Sequence, residues 1–305
     1  MKLIKKTLAI AVVALATNGN AYADAIANAY IDVTNAKFTN SAGVTLLASN
    51  FNILNASNSS DVSSSLNGVS NDPIGITKTI LDIQVGTGGL DQYAALGTAP
   101  ADNAFTIITS TPPSDMFAAS DTRLEGTLLD FGFGDTGAHG QVYDGVSLIG
   151  NALGTSDAII SSSSQLIFTA TSTLAAIFNF TLQDYLKIWT DGTLGSFATA
   201  KGQFNVSLDT LDNNNNLTGN VFAFSQDIGN KATWSTTSFG NQQVGSGPTN
   251  RQFNFNLVSG QRYAFNLLQD TYATAGSVGV PEPASLALLG LGLLGLVMSK
   301  RKAIS

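Results

Sequence analysis

The stretch RQFNFNLVSGQRYAFNLLQ, from Arg251 to Gln269, sets the fold class. Phe253, Phe255 and Leu257 alternate with polar residues; after Ser259-Gly260, Tyr263, Phe265 and Leu267 do the same. A period of two places each set on one face of a strand, and a Ser-Gly pair between two such runs is a turn signal. The two runs read as strands separated by a turn, each with one greasy side. The same signature recurs at Phe178-Phe180-Leu182, Phe204-Val206-Leu208 and Phe222-Phe224, separated by Asp191-Gly192 and Asp212–Asn216. Short alternating strands with frequent turns predict a mainly β chain, an antiparallel β-sandwich of jelly-roll-like winding.

Toward the N-terminus the signals are weaker. Strands are expected at Ala29–Phe38 and Ile80–Val85. Loops are expected through Asn55–Pro73 and the Ser run Ser161–Ser164. One short helix is expected in Ser114–Asp130, capped by Ser114. The last strand should end near Thr274, leaving Ala275–Val280 as a tether. The folded body is thus expected over residues 24–274. No internal repeat is evident.

Composition agrees with strands and loops. Acids are nearly all Asp, with Glu only at 125 and 282, and Asp favours turns over helix interiors. The chain has no cysteine, so its 305 residues must be held by burial and hydrogen bonds. There are 14 Lys and Arg against 21 Asp and Glu. Six of the 14 bases lie at the extreme ends, leaving eight against the acids of the body. That imbalance excludes nucleic acid as a partner, since phosphate contacts need clustered bases.

Both ends read as addresses. Lys2, Lys5 and Lys6 precede an apolar run from Leu8 to Ala16, and Ala21-Tyr22-Ala23 fits the small-x-small cleavage pattern. Residues 1–23 are therefore expected to be a helical secretory signal peptide, cut by signal peptidase after Ala23. At the other end, Pro281-Glu282-Pro283 precedes an apolar run and then Lys300, Arg301 and Lys302. As a helix, residues 284–299 would span roughly 24 Å at about 1.5 Å per residue. A bilayer core is about 30 Å thick, so this is a minimal transmembrane helix with snorkelling bases. The basic cluster should stay cytoplasmic and the Pro-Glu-Pro should lie just outside the membrane, in extended backbone.

Pro281-Glu282-Pro283, a Leu/Gly-rich span and a terminal basic cluster, in that order, resemble the PEP-CTERM sorting signal of Gram-negative bacteria. The resemblance is confined to the tail, residues 281–305. It implies processing by an exosortase near the Pro-Glu-Pro. It also implies transient anchoring in the inner membrane with the body in the periplasm, then delivery to the cell surface or extracellular matrix. Proteins sorted this way accompany exopolysaccharide, biofilm and floc formation.

The body offers little chemistry. His139 is the sole histidine, which excludes His-rich metal sites. It lies in FGFGDTGAHGQVYDG (Phe131–Gly145), where Asp135 or Asp144 are its nearest acidic partners in sequence. No Gly-x-Ser-x-Gly elbow and no phosphate loop occurs. Asp130, Asp135 and Asp144 lie among glycines, and calcium is the cation such loops take, with no site assigned. DTLDNNNN (Asp209–Asn216) lacks the glycine an EF-hand loop needs and reads as a solvated turn. Trp189, Trp234, Tyr143, Tyr185 and Tyr263 are the aromatic candidates for sugar stacking, each more simply a core residue. No catalytic residue, metal ligand or cofactor is assigned. The expectation is a non-enzymatic surface or matrix protein associated with exopolysaccharide. A carbohydrate-binding module and a secreted hydrolase are the alternatives.

Overall fold

The computed structural model describes residues 24–79, 89–109, 111, 113–130, 137–150, 152–192, 196–227 and 240–277. The expected signal helix, the transmembrane helix, the Ile80–Val85 strand, Asp135 and Trp234 lie outside them. Among the described residues no helix is long and apolar enough to cross a membrane.

The body is made of antiparallel strands. They are β1 (Ala25–Asn40), β2 (Phe51–Leu66), β3 (Val69–Asn71), β4 (Ile76–Thr79), β5 (Leu90–Gly97), β6 (Phe117–Glu125) and β7 (Ala138–Leu148). There follow β8 (Ala152–Ala170), β9 (Leu174–Thr190), β10 (Phe197–Leu211), β11 (Leu217–Asp227), β12 (Gly240–Leu257) and β13 (Arg262–Ser277). One sheet runs β12-β9-β1-β7-β6-β5; the other runs β11-β10-β13-β8-β2-β3, with β4 also on β2.

The winding follows from nesting. β10 pairs β11, β9 pairs β12 and β8 pairs β13, each pair enclosing the last and alternating between sheets. That is a jelly-roll path. β1 fills the gap between β7 and β9, where a strand following β13 would close such a roll.

Alternation decides which side chains meet between the sheets. Ala25, Ala27, Ala29, Ile31 and Val33 of β1 point inward. The register then shifts between Val33 and Ala36, where Asn35 takes a positive φ of 55°. This bulge resets the parity, so Ala36 and Phe38 also face the core. Phe38 meets Phe178 and Phe255 of its own sheet and Phe168 and Phe265 of the other, at centroid distances of 5.1–6.5 Å.

Two upstream expectations are corrected. Ser114–Asp130 holds strand β6 rather than a helix, because Phe117–Glu125 hydrogen-bonds to β5 on one side and β7 on the other. Sheet pairing and burial on both faces override its helix-like composition. Much of the polar run Asn55–Pro73 is strand as well, since β2 pairs with β8 along most of its length, and the Ser run Ser161–Ser164 lies within β8. Within β2, Val62, Ser64 and Leu66 are buried in alternation with more exposed neighbours. β13 extends to Ser277, so Ala275–Ser277 belong to the sheet and not to a tether.

Phe38 is 2% exposed and touches both sheets. Phe38→Ala is expected to cost about 3–5 kcal/mol in chemical denaturation. A loss below about 1 kcal/mol would show that the two sheets do not depend on this ring.

Candidate functional site

Three places in the body carry enough organisation to be functional. The first is the pole where the chain enters and leaves. Ala25 pairs with Leu148 and Thr190. The Asp24 carboxylate accepts a hydrogen bond from the Gly150 amide at 3.1 Å, and its carbonyl accepts one from the Asp191 amide at 3.1 Å. At the far end of the chain, Ser277 pairs with Ala152 and Gly276 with Leu153 and Phe197. Both ends therefore leave the sandwich beside the same β7–β8 turn. Gly276 is needed there, because a Cβ would run into the Phe197 ring.

The second place is the outer face of the first sheet. A cross-strand row runs Tyr93, Asp121, Tyr143, Tyr30, Tyr185 over β5, β6, β7, β1 and β9. The segment from Thr98 to Thr109 lies over it. Its base is closed by a hydrogen bond from the Thr98 amide to the Met116 carbonyl. Gly97, at φ +80°, makes the turn, and any Cβ there would strike that same carbonyl. Phe105 packs on Tyr30, and the Tyr93 hydroxyl donates to the Pro100 carbonyl. From below, the Lys187 ammonium donates to the carbonyls of Ile108 and Thr109 at 3.0 and 2.9 Å. Burial holds the Lys187 pKa below its usual value. Burial and the neighbouring Asp32 charge raise Tyr30 to about 12.

At one end of this row, Asp91 of β5, Asp102 of the overlying segment and Asp121 of β6 converge, with carboxylate oxygens within 4.8 Å of one another. They are the one group of three acids among the described residues with spacing suited to a cation. Asp121 is 1% exposed, and its Oδ2 accepts from the Asn103 amide at 2.8 Å. Burial, reinforced by the charges of Asp102 and Asp91, pushes the Asp121 pKa up to about 7. Sequence reasoning missed this cluster, because its members lie on two strands and a loop and share no motif.

The third place is His139, whose Nε2 lies 2.8 Å from Oδ1 of Asp32 on the neighbouring β1. The expected partner Asp144 is excluded by parity: it lies an odd number of residues along β7 and faces the core. There Ser120 Oγ and Thr271 Oγ1 lie 2.7 and 2.8 Å from its carboxylate oxygens. The Tyr30 hydroxyl also hydrogen-bonds to Asp32. Tyr143, Trp189 and Tyr263 are buried core residues, Tyr185 is half-buried, and Asp209–Asn216 is the β10–β11 turn. In that turn the Asp212 carboxylate accepts from the side-chain amide and the backbone amide of Asn216 and from the backbone amide of Asn214, which lowers its pKa. Ala21, Ala23, Pro281, Glu282, Pro283, Lys300, Arg301 and Lys302 lie outside the described residues.

A carboxyl whose pKa is raised on folding holds its proton more tightly in the folded state, so its contribution is lost as pH rises. With EDTA present, stability should fall between about pH 4 and pH 7 and level off above. Asp121→Asn should remove on the order of 2–4 kcal/mol of that fall. Identical pH profiles for the two proteins in thermal unfolding would contradict the buried-acid reading.

No curated protein and no solved structure matches the chain. One family model does, and it covers the segment that leaves from the shared pole. Residues 279–302 match the PEP-CTERM protein-sorting motif, so the tail of this chain is a signal for export and exosortase sorting.

Proposed function

We propose that this is an exosortase-sorted surface or extracellular-matrix protein, associated with exopolysaccharide in biofilm or floc formation and without enzymatic activity. The observation that carries it is the shared pole. The segment bearing the sorting motif leaves β13 beside the turn where β1 begins, so a membrane-held tail suspends the sandwich by one end. In that geometry the opposite pole, with the β10–β11 turn at Asp212–Asn216, faces away from the membrane. Signal peptidase would release the N-terminus near Asp24 and an exosortase the C-terminus near Pro281. The body then passes from the periplasm to its final location.

The alternatives draw less support. A carbohydrate-binding module stacks sugars on exposed rings, but among the described residues no aromatic side chain is exposed. The tyrosine row that would suit the purpose lies under the Thr98–Thr109 segment. A hydrolase needs a cleft around its catalytic groups. Among the described residues, the apolar cavity near Leu124, Leu166 and Phe265 measures about 80 Å³, and larger hollows of about 350 and 390 Å³ lie beside Asn179 and Arg251 and beside Thr106 and Phe117; none of the three is lined by His139 or Asp32.

Deleting Pro281–Ser305 tests the sorting claim. The truncated protein should fail to reach the surface or matrix fraction and should accumulate in the periplasm or the medium. An unchanged distribution in cell fractionation would overturn it. The gene deletion should reduce aggregation of the cells; wild-type aggregation would overturn the matrix role while leaving the sorting claim intact.

A further inference from the structure

The geometry points to a divalent-cation site, suited to calcium, formed by Asp91, Asp102, Asp121 and Asn103, which fastens the Thr98–Thr109 segment over the outer face of the first sheet. The three carboxylates converge from two strands and from the segment itself, within 4.8 Å of one another. All offer oxygen, the donor that calcium prefers.

A cluster of acids is common on protein surfaces. The behaviour of Asp121 sets this one apart. Its side chain is 1% exposed, yet Oδ1 has no hydrogen-bond partner. The other oxygen of the same carboxylate is satisfied by the Asn103 amide. Leaving a buried carboxylate oxygen unmatched is costly, and the groups around it do not supply a donor. Asn103 Oδ1 is a second buried oxygen with no partner, and it can accept only from a donor or a cation. Meanwhile the Asn103 side-chain Nδ2 donates to both oxygens of Asp91, at 3.0 and 3.2 Å. Asn103 thus already ties the segment to both strands, while two unmatched oxygens remain.

Nearby positive charge does not replace a cation. Arg123 is opposite Asp91 in the β5–β6 register, but its guanidinium is paired with Glu125. Lys187 is bonded to Ile108 and Thr109. A divalent ion would give the orphaned oxygens a partner and neutralise the mutual repulsion of the three acids. Because Asp102 and Asn103 belong to the overlying segment and Asp91 and Asp121 to the sheet, the ion would act as a clasp between them. Extracellular calcium modules bind with dissociation constants of about 0.1–1 mM, which suits an exported protein.

The test uses the full chain purified in mild detergent, after EDTA treatment and dialysis. Calcium chloride alone, raised to about 10 mM, should raise the thermal midpoint by about 5 °C or more. It should also slow protease cleavage within the Thr98–Thr109 segment. Asp121→Asn removes the buried charge and should abolish the calcium-dependent shift. Asp91→Asn, at an exposed position that should not impair folding, should weaken calcium binding at least tenfold. No calcium-dependent shift in the wild type would overturn the inference. So would an equal shift in wild type and both variants, since calcium would then act elsewhere. Magnesium at the same concentration should give a smaller shift, as it demands tighter octahedral geometry; an equal or larger magnesium effect would overturn the assignment to calcium.

Discussion

Phe38 meets two phenylalanine rings from each sheet, and the rest of the body depends on that junction. With no cysteine available, no disulfide joins the sheets. Their union rests on burial, and aromatic rings bury the most area per residue. The ring cluster spreads from Phe38 through Phe178 to Phe180, Phe222 and Phe253, where β11 and β12 bring the sheet edges together. Phe38 faces inward only because the bulge at Asn35 shifts the parity of β1. A single backbone irregularity therefore decides whether the sandwich closes at this end.

The other half of the interior sets polar groups among small apolar ones. Asp144, Ser120, Thr271 and Gln269 are all buried between the sheets, and Ser60 donates to Gln92 at 2.9 Å. Thr271 and Ser120 reach Asp144 from opposite sheets. Such groups contribute less burial energy than phenylalanine, but unmatched they are costly, so they fix the relative position of the sheets. The two halves divide the work: rings supply the cohesion and hydrogen bonds supply the alignment.

This division explains what could be read from sequence. Where the inward residues are Phe, Leu and Val, as in β9, β10, β12 and β13, alternation is visible and the strands were expected. Where Ser and Thr stand among the inward residues, as in β2 and β6, the pattern resembles a loop or a helix. There the strand is set by pairing with distant segments, as between Phe51 and Ala170, information a local reading lacks. His139 shows the same limit. Its neighbours in sequence suggested Asp135 or Asp144, whereas strand pairing supplied Asp32 from 107 residues away. The tail is the opposite case: a sorting signal is read from an ordered run of residues, so its motif was legible without any fold.

The placement of β1 and β13 has a consequence for when the sheets can be completed. β1 is the first strand to emerge, yet both its partners, β7 and β9, come more than 100 residues later. β13 is the last, and it is central in the second sheet, between β8 and β10. The first sheet waits for β9 and β12 and the second for β13, and folds built on such distant pairings form slowly. The second sheet gains its central strand only with Ser277, which lies two residues before the sorting signal.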